Sequence, residues 1–113
     1  VAFKNIIQAV TLTSIDSSTL NGSYQVINAT GLPQGCVFVY ITNASNKDVT
    51  VSYDGINDNE YVRASETKNL LFQMNALPNA HVATFAKGTK IYVKGTAGTG
   101  NIYVSGYYQP IQN

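Results

Sequence analysis

Apolar and polar residues alternate along this chain in short bursts, and no stretch sustains the three-to-four spacing of an amphipathic helix. Val, Ile, Thr and Tyr fill the bursts. Gly, Asn, Asp and Pro separate them at intervals of about eight to twelve residues, the spacing of an all-β sandwich or barrel. KIYVKG is the clearest burst, with Ile91 and Val93 on one face and Lys90, Tyr92 and Lys94 on the other. NIYVSGYY likewise sets Ile102 and Val104 against Asn101, Tyr103 and Ser105. The intervening GTAGTG supplies turn positions, so these two strands are expected to pair as a hairpin. CVFVYIT is apolar on both faces, as a strand covered on both sides would be. DVTVSY alternates, with Val49, Val51 and Tyr53 on one side, and NASNKD between these two predicts a second hairpin.

Weaker strands are expected at IIQAVTLTS and GSYQVINA, either side of a loop at IDSSTLN, and at EYVRA and NLLFQM. Val82 to Phe85 reads equally as a strand or a helical turn. Pro33, Gly35 and Pro78 interrupt the pattern. About eight short antiparallel strands in one domain, residues 1–113, predict a β-sandwich: a jelly roll first, an immunoglobulin-like sandwich second.

SYDGINDNEY, Ser52 to Tyr61, gathers Asp54, Asp58 and Glu60 and raises calcium binding as a question. An EF-hand loop needs oxygen ligands at alternate positions, a central glycine and a distant bidentate Glu. Here Gly55 follows Asp54 directly and Glu60 begins a strand. The stretch is therefore expected to be a hairpin turn, with no metal.

The composition narrows the function classes. In 113 residues only 12% are charged and the net charge is +1, which gives no electrostatic case for nucleic acid or an anionic membrane as partner. No run approaches the ~18 apolar residues of a membrane helix. Low charge beside 44% apolar residues points instead to a surface partly covered by another protein. VAFKNIIQAV lacks the basic start and long apolar core of a signal peptide, so manufacture and use without export are expected.

Little catalytic chemistry is on offer. The single Cys36 lies in an apolar run, where a free thiol behaves as a small hydrophobe. His81, the only histidine, lacks a second zinc ligand, and a Cys36–His81 nucleophilic pair has no supporting motif. GTAGTG has no Lys-Ser/Thr tail and leads into a strand, so no phosphate loop is expected. The lysines of KGTKIYVKG read as a charged outer strand face. No cofactor and no catalytic residue are expected. The eight tyrosines stand out. Tyr103 and Tyr107, with Tyr92 on the expected neighbouring strand, would share one face. That face would serve a protein contact, a sugar-stacking platform or ordinary cross-strand pairing.

ITNASNKDVTVSYDG followed by KGTKIYVKGTAGTGNIYVSGYY resembles small β-sandwich virion proteins of tailed bacteriophages, over roughly Tyr40 to Tyr108. The size resembles the jelly-roll cement, or decoration, proteins that staple capsid subunits together. The resemblance implies a non-enzymatic protein on the capsid surface of a virion, made in the cytoplasm of a bacterial host. Its partner would be the major capsid protein, with self-association on the particle and a contact on the order of 1,200–2,000 Å². The contact residues expected are Phe3 and Ile6 in an arm at 1–7, then Tyr92, Tyr103, Tyr107 and Tyr108, and Ile111 in an arm at 109–113. A head–tail connector or tail protein, or a small carbohydrate-binding module using the tyrosine face, are the alternatives.

Overall fold

The bursts become nine strands among the residues that the computed structural model describes, which are 6, 8–71 and 85–108. They are β1 (Gln8–Ala9), β2 (Thr13–Asp16), β3 (Gln25–Val26), β4 (Phe38–Asn43), β5 (Val49–Ser52), β6 (Glu60–Val62), β7 (Glu66–Leu71), β8 (Tyr92–Gly95) and β9 (Asn101–Tyr108), with one 3₁₀ turn at Ser17–Thr19. One sheet has the order β1-β9-β4-β7 with β2 also paired to β9; the other has the order β3-β8-β5-β6. All pairings are antiparallel. The alternation read from the sequence is what closes the sandwich. Val39, Ile41, Ile102 and Val104 from the first sheet share a buried core with Val49, Val51, Val62 and Val93 from the second. Each such side chain contributes roughly 1.5–3 kcal/mol on burial.

The pairing is nested. β5 pairs with β6, β4 with β7, β3 with β8 and β2 with β9. The chain thus runs as one long two-stranded ribbon, folded so that β4 meets β9 and β5 meets β8. The pairing persists through the bends. Ser17 N donates to Gly100 O, and Ile27 N donates to Ile91 O at 2.8 Å. Cys36 and Phe85 exchange two backbone bonds at 2.8 and 2.9 Å.

Two expected hairpins are overturned by this arrangement. KIYVKG and NIYVSGYY lie in opposite sheets, as do CVFVYIT and DVTVSY. GTAGTG and NASNKD are arches between sheets. The two arches lie side by side, with Asn46 N donating to Thr99 O at 3.1 Å and Thr99 N donating to Asn46 Oδ1 at 3.0 Å. Glycine and asparagine serve an arch as well as a tight turn, and the local pattern does not separate the two. Boundaries shift as well: IIQAVTLTS divides into β1 and β2, and β2 runs on through Asp16 into the expected loop. In GSYQVINA only Gln25–Val26 is strand, and β7 begins before NLLFQM at Glu66. Of the ambiguous Val82 to Phe85 segment only Phe85 is described, as an isolated bridge to Cys36. Phe3, His81, Ile111, residues 1–5 and 7 of the first arm and the 109–113 arm lie outside the described residues.

Candidate functional site

SYDGINDNEY forms the tip of the ribbon, the hairpin between β5 and β6. The Asp54 carboxylate accepts four bonds from its own turn: from Ile56 N and Asn57 N at 2.8 Å, and from Asn57 Nδ2 and Ser52 Oγ at 2.7 Å. The backbone donors, with the Ser52 and Asn57 side chains behind them, hold its pKa well below the usual carboxylate range. Those oxygens shape a turn.

Cys36 is fully buried, and burial pushes its thiol pKa up, away from the thiolate that nucleophilic chemistry requires. Lys94 makes a 3.0 Å ion pair with Asp58 and sits 4.7 Å from the centre of the Tyr24 ring. It belongs to a charged outer sheet face.

The tyrosines divide between the two sheets. Tyr103 and Tyr107 lie on the outer face of the five-stranded sheet, whereas Tyr92 lies on β8 in the other sheet, its ring in contact range of Gly55. Tyr108 alternates to the other side of β9 from Tyr107 and donates to Gln8 Oε1 at 2.9 Å. Ile6 is 49% exposed and outside any strand. The expected three-tyrosine face of Tyr92, Tyr103 and Tyr107 therefore does not exist, because the hairpin that would assemble it does not.

A different aromatic cluster takes its place. Register sets Phe38 opposite Tyr107, Tyr40 opposite Ser105 and Thr42 opposite Tyr103. With the small Ser105 across from it, Tyr40 leans diagonally to Tyr107 at 6.3 Å between ring centres; Phe38 lies 5.7 Å from Tyr107 and 6.1 Å from Tyr40. Phe38 and Tyr107 are within 22° of parallel, and at that separation they overlap as offset-stacked rings instead of lying side by side on the sheet. None of the described residues donates to or accepts from the hydroxyls of Tyr40, Tyr103 and Tyr107.

Among the described residues this face is also free of charge from the Phe38–Tyr107 row to the Thr42–Tyr103 row, with Thr67 and Asn69 alongside on β7. Phe38 and Tyr40 were missed as site residues. The signal was present in CVFVYIT, whose second apolar face is this half-buried aromatic patch and not a strand side covered by another layer of the described fold.

Comparison with known protein families, with characterised proteins and with solved structures found no match to this chain. Among the described residues no helix is long and apolar enough to cross a membrane.

Proposed function

We propose that the chain is a non-enzymatic structural protein that docks on an assembled protein surface through Phe38, Tyr40, Tyr103 and Tyr107, and that its specific role is that of a phage capsid decoration protein. The carrying observation is the uncharged aromatic face. Interface centres are depleted in charge and enriched in aromatic residues, and free tyrosine hydroxyls add hydrogen bonds at small entropic cost. The sugar-platform reading of this face is weakened by the stacking of Phe38 on Tyr107, which covers one face of each of those two rings.

Two further observations support the phage reading. The segments that resemble tailed-phage virion proteins supply β4, β5, β8 and β9, which pair with one another in the middle of both sheets. The nested pairing β2–β9, β3–β8, β4–β7, β5–β6 favours a jelly roll, a ribbon rolled upon itself, over an immunoglobulin-like order.

The test is quantitative mass spectrometry of purified particles from the source, scaled to the major capsid protein. A ratio near one or a simple fraction of it is expected. A ratio lower by tens of fold would move the protein to the connector or tail, and its absence from particles would overturn the reading.

A further inference from the structure

The opposite sheet carries a second surface of different chemistry. Register places Lys94 opposite Thr50 and Thr50 opposite Tyr61, one row across the outer face of β8, β5 and β6. Tyr24 closes the row beyond Lys94, its ring beneath the ammonium. Thr50, the small residue of the row, leaves a gap. Two open hollows meet there, one of about 510 Å³ reaching Asn21, Asp48 and Thr96, the other of about 310 Å³ reaching Asp58, Asn59 and Tyr61. Together they form a shallow trough, with Tyr61 in the lining of the second hollow and Tyr24 beyond Lys94, outside both linings. Three strand spacings separate the two tyrosines, about 14 Å at the usual interstrand distance.

The trough is polar and fixed in place. The Tyr61 hydroxyl donates to Asp48 Oδ2 and the Tyr24 hydroxyl to Asp58 Oδ1, while Asp48 Oδ1 also accepts from Ala64 N at 2.8 Å. Each acid of the lining has a base near it, Lys94 at Asp58, Lys68 at 3.8 Å from Glu60 and Arg63 beside Asp48, so the face is charge-balanced and favours neither an anion nor a cation. Unlike the rings of the opposite face, Tyr61 is 54% exposed and stacks on no other aromatic ring among the described residues, with its ring orientation set by the Asp48 bond.

We propose that this trough binds a neutral oligosaccharide, with Tyr61 as the stacking platform and Asp48, Asn59 and Asn21 as hydrogen-bonding groups. A polyhydroxylated, uncharged chain matches the lining: it exchanges hydroxyls with carboxylates and amides, needs no dry pocket, and presents the C–H faces that pack on an exposed ring. The site lies on the sheet opposite the proposed docking face, so it stands or falls independently of that reading.

The test is isothermal calorimetry and amide-shift mapping of the full chain with maltohexaose, cellohexaose, laminarihexaose and chitotetraose. Saturable binding of at least one is expected, with shifts at Thr50, Tyr61 and Lys94. Tyr61→Ala, at an exposed position, should lower affinity about tenfold or more, whereas Tyr61→Phe keeps the ring and most of the affinity. Tyr107→Ala, on the other sheet, should change nothing. Absence of binding by all four sugars at millimolar concentration, wild-type affinity in Tyr61→Ala, or shifts confined to the Tyr40–Tyr107 face would overturn the proposal.

Discussion

Several of the polar side chains buried in this small sandwich sit where the ribbon bends or turns. Ser17 is fully buried and its hydroxyl donates to Gly100 O at 2.7 Å, joining the bend after β2 to the bend before β9. Asn28 spans the next bend, donating to Thr89 O at 3.1 Å and accepting from Ile91 N at 2.7 Å. Asn43 spans the last. Its amide donates to Lys47 O, Val62 O and Arg63 O, and its oxygen accepts from Ser45 N and Ser45 Oγ. A buried polar group without partners costs about 1–3 kcal/mol, and Asn43 satisfies several at once. Asn43→Ala is therefore expected to destabilise the fold by about 3 kcal/mol or more, read as a lower urea midpoint. A change within 0.5 kcal/mol, the scatter of a surface substitution, would refute that role. Asp54 acts at the same scale. Its folded-state pKa lies below the unfolded value of about 3.9, so its contribution is complete above that pH and is lost as pH falls toward the folded pKa. Asp16, Asp48 and Asp58 are shifted in the same direction, each by hydrogen bonds to its carboxylate. Thermal melts should fall steeply below about pH 4, and less steeply in Asp54→Asn, which carries no titrating carboxylate. Parallel acid limbs for the two proteins would count against the shifted group.

Strands and their inward faces are legible in this sequence because period-two alternation reports burial directly: Ile91, Val93, Ile102 and Val104 are buried as their pattern requires. Partners are another matter. Consecutive strands neighbour each other only where the chain doubles back, and in a nested ribbon that happens at one place, the SYDGINDNEY tip. At the other bends the chain crosses between sheets with the same Gly, Asn and Asp that a hairpin uses. The first forty residues were hardest to read because β1 and β3 are only two residues long, too short to alternate. An arch differs from a hairpin in its close neighbours, and Gly100 shows it. Its φ is +101°, and a Cβ there would stand 2.3 Å from Ala44 O on the adjacent arch. Gly100→Ala is expected to cost about 2 kcal/mol or more through backbone strain and that clash, or to prevent folding. Chemical denaturation measures the loss, and wild-type stability would mean that the two arches do not pack as described.

For the molecule as a whole, the contrast between the two outer surfaces matters most. One sheet shows an uncharged aromatic patch, the other a balanced set of acids and bases around a trough. The candidate faces were only half legible because a face belongs to a sheet, and sheet membership depends on strand partners. Tyr103 and Tyr107 were found from their own strand; Phe38 and Tyr40 come beside them only through the pairing of β4 with β9, some sixty residues away in sequence. The two surfaces lie on different sheets, so a substitution on one is expected to leave the other intact. Docking through the aromatic patch is tested most directly by cosedimentation of the purified chain with particles prepared without it, comparing wild type, the double variant Tyr40→Ala/Tyr107→Ala, and Tyr61→Ala. Wild type and Tyr61→Ala should saturate the particles alike, while the double variant, with an unchanged circular dichroism spectrum, should lose tenfold or more in affinity, about the effect expected of interface hot spots. Equal binding by the double variant, or no binding by wild type, would contradict docking through this face.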